Sequence, residues 1–192
     1  MLFSISFFDV VVNIISGIAM IIFIIASMIK SKNKIISWQC IGHMIFVFVE
    51  TMTKAWSSIV QEVIGITRNL LTITKKNTKV ISILLIILGA VIGVAVNIIF
   101  KPKDAPWFGS WVGYLPVVAN LEYSIIVLRK NSTVRTIKLS FCISSILWGL
   151  NFLFLGVYVS AILNFICAIT ALISFFKFKN NMNIEEEEVK EN

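Results

Sequence analysis

The chain has 192 residues, is 58% hydrophobic and only 14% charged, and carries a formal net charge of +7. A soluble domain holds roughly 45–50% apolar and about 25% charged residues, so a soluble fold of this size could not hide so much apolar surface, whereas lipid solvates it directly. The basic residues sit in short clusters between apolar runs, so they read as membrane-topology signals and not as a nucleic-acid-binding face.

A membrane-spanning helix needs about 20 mostly apolar residues. Seven such helices are predicted, at 6–29, 36–54, 56–74, 80–100, 109–128, 138–155 and 157–176. The expected fold is therefore all-α, a polytopic membrane bundle whose partner is the lipid bilayer. The first helix has Asp9 early and Lys30, Lys32 and Lys34 after it, which is the charge order of a retained helix with its N-terminus outside. The separators are KSKNK at 30–34, KKNTK at 75–79, KPKDAP at 101–106 and RKNSTVRTIK at 129–138. Two joins are tighter, from Lys54 to Trp56 and from Gly156 to Tyr158. With the N-terminus outside, the segments predicted to be cytoplasmic hold 13 of the 17 Lys and Arg, which favours seven crossings. Trp56, Trp107, Trp111 and Tyr158 fall at predicted outer ends, where aromatic anchors are common. The end of the chain, 179–192, carries Glu185 to Glu188 and reads as a disordered acidic cytoplasmic tail.

The two halves resemble each other. Residues 35–75 align with 137–177 without a gap, and Ile35, Cys40, Ile41, Ser58, Ile64, Leu70 and Lys75 meet identical residues. The charge clusters match as well, so both copies enter the membrane the same way round. The chain then divides into a first three-helix repeat at 1–79, a linker helix with an outer loop at 80–106, and a second repeat at 107–178. Parallel repeats of this kind occur in transporters, with the substrate site between them near the midplane.

SSIVQEVIGITRNLLTI at 57–73, LPVVANL at 115–121 and VSAILNFICAITALISFF at 159–176 resemble the YgjV-type (Imp-YgjV) bacterial inner-membrane proteins. That resemblance implies a multi-pass protein of the bacterial inner membrane and no particular activity. The 3+1+3 layout also resembles the SWEET sugar carriers and the PnuC vitamin transporters, in architecture alone.

Ionisable side chains within a bilayer are costly, and those present usually face a cavity or a partner. Glu62 lies near the centre of helix 3 and aligns with Asn164 in helix 7. By resemblance to SWEET-like carriers the two would line a substrate pocket from opposite sides, and a carboxylate there would suit a cation or titrate during transport. Otherwise they are interhelical hydrogen-bonding residues. Asn120 and Glu122 of helix 5 are expected to line the same substrate site, and Pro116 predicts a kink there able to serve as a hinge. Arg68 either snorkels to the cytoplasmic surface or pairs with a carboxylate such as Glu122. His43, near the middle of helix 2, is a packing residue or a proton relay. Glu50, within a turn of the outer end, is expected to reach water. Gly89 and Gly93 form a GxxxG that favours close helix contact and allows a homodimer. Cys40, Cys142 and Cys167 lie in apolar runs without metal-binding spacing, and neither a metal nor another cofactor is expected. No hydrolase or nucleotide-binding motif is present, so an enzyme is not expected. The functional expectation is a small-solute transporter for a sugar- or vitamin-like compound. The alternative is a non-transporting inner-membrane accessory protein.

Overall fold

The computed structural model describes residues 7–100, 111–129 and 131–177. Trp107, Lys101, Lys103 and the acidic tail lie outside the described residues. The described residues form seven α-helices: α1 (Phe7–Met28), α2 (Lys32–Thr53), α3 (Trp56–Ile73), α4 (Lys79–Ile99), α5 (Leu115–Val127), α6 (Val134–Phe154) and α7 (Tyr158–Lys177). A 3-10 turn, Val112–Tyr114, leads into α5. Many of these residues are Ile and Val, which are mediocre helix formers in water. In lipid the backbone has no water to bond, so the helix is enforced by its own hydrogen bonds.

Five helices, α1, α2, α4, α6 and α7, are long and apolar enough to cross a membrane. Helix α3 is set apart by Gln61, Glu62, Arg68 and Asn69, all of them buried. Helix α5 is short, with 13 residues. Helices α2 and α6 each begin four residues earlier than hydropathy predicts, because their first turns carry basic residues, Lys32 and Lys34 in α2 and Arg135 in α6. Lys138, expected in a cytoplasmic loop, is wholly buried in α6. Its Nζ donates to the carbonyls of Ala26 (3.1 Å) and Ser27 (2.6 Å) in the last turn of α1. The Ala26 carbonyl also accepts from Ile29 N at 3.3 Å, and the negative end of a helix attracts a cation. Nearby, Lys32 Nζ donates to Ser132 Oγ at 2.8 Å.

The helices α1, α2, α3, α5, α6 and α7 each pack against the next, and α7 closes back on α1. Helix α4 stands outside this ring, against α3 and α5. The turns α2–α3 and α6–α7 are built alike. Lys54 (φ 56°) and Gly156 (φ 74°) both take the left-handed conformation that ends a helix. In the first turn Ala55 N donates to the Glu50 carbonyl at 2.9 Å, and in the second Val157 N donates to the Phe152 carbonyl at 3.0 Å.

The GxxxG of α4 is used inside the chain, since Gly89 and Gly93 are its buried residues together with Ser82. The Gly89 carbonyl accepts from Gln61 Nε2 at 3.1 Å. A Cβ on Gly93 would meet the Gln61 side-chain amide and lie 2.8 Å from Val117 Cγ2. We expect Gly93→Leu to destabilise the protein by about 1–3 kcal/mol through overpacking. The check is the thermal unfolding midpoint in detergent, with the exposed α4 substitution Val91→Leu as the control that should change little.

Candidate functional site

The ring encloses a cavity walled by side chains from six helices. Helical periodicity selects them. Gln39, His43 and Phe46 lie three or four residues apart on α2, and Gln61, Glu62 and Arg68 share the inner face of α3. Asn120 and Tyr123 come from α5, Trp148 from α6, Asn164 from α7 and Met20 from α1. The cavity is small, about 40 Å³. At roughly 10–15 Å³ per water, it holds about three water-sized atoms and no sugar ring.

The wall is a hydrogen-bonded network. Glu62 Oε2 and His43 Nδ1 are hydrogen-bonded to each other. Phe23 meets the imidazole edge-on at 5.0 Å between centroids. Arg68 is buried and draws on neutral groups. Its Nε donates to Asn69 Oδ1 at 3.0 Å, and its Nη1 to Asn120 Oδ1 at 2.6 Å and Ser124 Oγ at 3.1 Å. The Tyr123 ring lies 4.7 Å from the guanidinium carbon, and Tyr123 Oη donates to Gln39 Oε1 at 3.0 Å. Asn120 Nδ2 in turn donates to the Gln61 carbonyl (3.0 Å) and to Gln61 Oε1 (2.9 Å). Asn164 Nδ2 donates to the Ser160 carbonyl at 2.9 Å and lies 3.2 Å from Met20 Sδ.

Of the residues singled out in the sequence, Glu62, Asn164, Asn120, His43 and Arg68 all line the cavity. Glu122 does not. It is partly buried, its carboxyl lies beside Ser140 of α6, and it is not a partner of Arg68. Asn120 and Glu122 are two residues apart, about 200° around a helix, so they cannot share a face; Ser124, one turn beyond Asn120, does. Arg68 turns inward and does not snorkel. Pro116 sits in the first turn of α5 and not at a kink within a longer helix. Proline costs no hydrogen bond there, since the first helical N–H groups have no partner anyway. Glu50 is 1% exposed and does not reach water, and neither of its carboxyl oxygens has a hydrogen-bond partner among the described residues. Hydropathy placed it near a helix end but could not say which face it takes.

Gln39, Gln61, Asn69 and Tyr123 were not singled out. Gln39 and His43 are four residues apart, as are Gln61 and Gly65 beside the imidazole, so the helical period carried a usable signal. Gln39 Nε2 and His43 Nε2 are buried without hydrogen-bond partners among the described residues, and both side chains border the cavity.

Apolar helices of spanning length closed around buried charged and amide groups define a polytopic integral membrane protein with a polar centre. The chain belongs to the Imp-YgjV family, described as bacterial inner membrane protein, whose model matches residues 10–182. It is a multi-pass protein of the bacterial inner membrane. No curated protein and no solved structure matches it.

Proposed function

We propose that this protein is a small-solute transporter that works by alternating access. In this reading all seven helices cross the membrane, with the N-terminus outside and the C-terminus in the cytoplasm. Helices α1–α3 and α5–α7 form two parallel repeats, and α4 links them. The observation that carries the reading is the cavity between those two sets, walled by polar and aromatic side chains, with Glu62 and its aligned residue Asn164 both on its wall. Further support comes from the helix ring, whose order of neighbours repeats when α1, α2 and α3 are replaced by α5, α6 and α7. The like-built turns at Lys54 and Gly156 lie at the alignment's own offset. The sequence alignment joins the same pairs.

The solute-binding residues in this proposal are Glu62, Asn164 and Asn120, with Arg68 and His43 setting the charge of the site. The cavity's small size corresponds to a closed arrangement, and the two three-helix sets would part to admit a solute. One observation favours the accessory-protein reading instead, namely that Glu62, Arg68 and Asn120 already have partners within the chain.

The test is uptake by proteoliposomes across a panel of sugars, vitamins, nucleosides, amines and organic acids. Transport predicts that some solute enters, and that Glu62→Gln or Asn164→Leu cuts uptake at least tenfold while the unfolding midpoint holds within a few degrees. Cysteines placed at 62 and 164 should react with water-soluble thiol reagents during turnover. A folded protein that moves nothing, with cysteines that never react, would establish the accessory reading.

A further inference from the structure

We propose that the solute is an organic anion whose carboxylate pairs with Arg68 in the central cavity. The proposal rests on the transport reading for the movement of the solute, but not for its binding.

Arg68 is 1% exposed, and its hydrogen-bond and ring partners among the described residues are neutral: Asn69, Asn120, Ser124 and the Tyr123 ring. A guanidinium carries five N–H donors in a planar fork. Nε uses its one and Nη1 its two, while Nη2 makes no hydrogen bond to any described residue. A cation held in a low-dielectric interior with no carboxylate in contact is an expensive arrangement. A carboxylate at the open edge of the fork would supply the charge and the acceptors together, in the geometry that Arg recognises best.

Glu62, on the same wall, attracts Arg68 from a distance but makes no hydrogen bond to it, its Oε2 being bonded to His43. Gln39 reinforces the inference. It holds the hydroxyl of the same Tyr123 whose ring lies against Arg68, so the two side chains flank one tyrosine. Its Nε2 is buried without a hydrogen-bond partner among the described residues, and its side chain borders the cavity, which makes it a second donor for an anionic oxygen. Size agrees as well. About 40 Å³ accepts a group of three or four heavy atoms, as in a carboxylate, without opening the ring. Phe23, Phe46, Phe141 and Trp148 wall the cavity beside these polar groups and keep it apart from bulk water.

The experiment compares near-isosteric charged and neutral probes on the full chain purified in detergent. Acetate should raise the unfolding midpoint in a saturable way, whereas acetamide should not. Arg68→Lys keeps a charge but loses the fork, and should weaken acetate at least tenfold. If Arg68→Lys does not fold, the acetate–acetamide contrast in the unaltered protein decides alone. Equal stabilisation by acetate and acetamide, or none by either, overturns the proposal. Proteoliposomes, with protein-free vesicles as the leak control, separate the two readings. Binding of acetate without uptake keeps the anion site and removes transport. Uptake of glucose with no carboxylate binding keeps transport and removes the anion site.

Discussion

Asn120→Leu should be the most damaging single substitution in the protein, lowering stability by about 3–5 kcal/mol. Asn120 joins α5 to α3 through both ends of its amide. The oxygen receives the Arg68 guanidinium at 2.6 Å, and the nitrogen donates twice to Gln61. Leucine has nearly the same volume and suits an apolar bundle, so packing alone predicts a mild effect. The physics of the partner predicts otherwise. Removing one member of a buried charged network leaves the other charge unsolvated, and that penalty exceeds the net worth of the bond. Asn120→Asp should be far milder, because it keeps the oxygen and gives Arg68 a counter-charge. The measurement is the unfolding midpoint of each variant in one detergent. An Asn120→Leu protein as stable as the parent would mean that Arg68 finds water or another acceptor, and the closed cavity would be the wrong description.

Lys138→Glu is expected to cost about as much, at the opposite end of the argument. Lys138 is fully buried, and its ammonium bridges α6 to two carbonyls at the end of α1. A carboxylate there can accept but not donate, so both bonds vanish. It also faces the negative end of a helix dipole, which reverses an attraction worth up to about 2 kcal/mol in partly buried settings. Loss of two charge-assisted bonds of about 1.5–3 kcal/mol each is partly offset by the desolvation that the lysine already bears. A net loss of about 3–4 kcal/mol follows. Lys138→Met, which keeps the stem and removes the charge, should lose about half as much. Because α1 and α6 are held together here, the same variants should speed amide hydrogen exchange in the last turn of α1 before they affect α4. Unchanged exchange at Ala26 and Ser27 would show that the lysine does not secure that junction.

The positions of the polar residues along the chain were legible, but their partners were not. Glu62, Asn164, Asn120, His43 and Arg68 could be picked out because each breaks an apolar run, and all five border one cavity. Glu122 breaks a run just as sharply and does not border it. The difference is 200° of helix rotation relative to Asn120, and the helical period could have separated the two before any coordinates existed. Glu50 is harder. Its place near a helix end suits either water or burial, and only the neighbours of α2 decide in favour of burial. Lys138 is the converse: a basic residue after a polar loop reads as solvent-facing, yet the loop ends at Thr133 and α6 begins before it.

By itself the sequence determined that the chain is an integral membrane bundle of helices and where its tight turns fall. Those properties follow from hydropathy, chain length and local backbone chemistry, which sum along the chain and need no knowledge of what lies across the bundle. Tertiary structure alone decided that Glu62 meets His43, that Arg68 meets Asn120 and no carboxylate, and that Gly89 and Gly93 face α3 and α5. Each of those depends on how far a helix is rotated about its own axis and which neighbour it touches. Hydropathy is blind to both, because an apolar helix is equally at home in lipid in many rotations and is fixed only by the packing and hydrogen bonds it makes with the others.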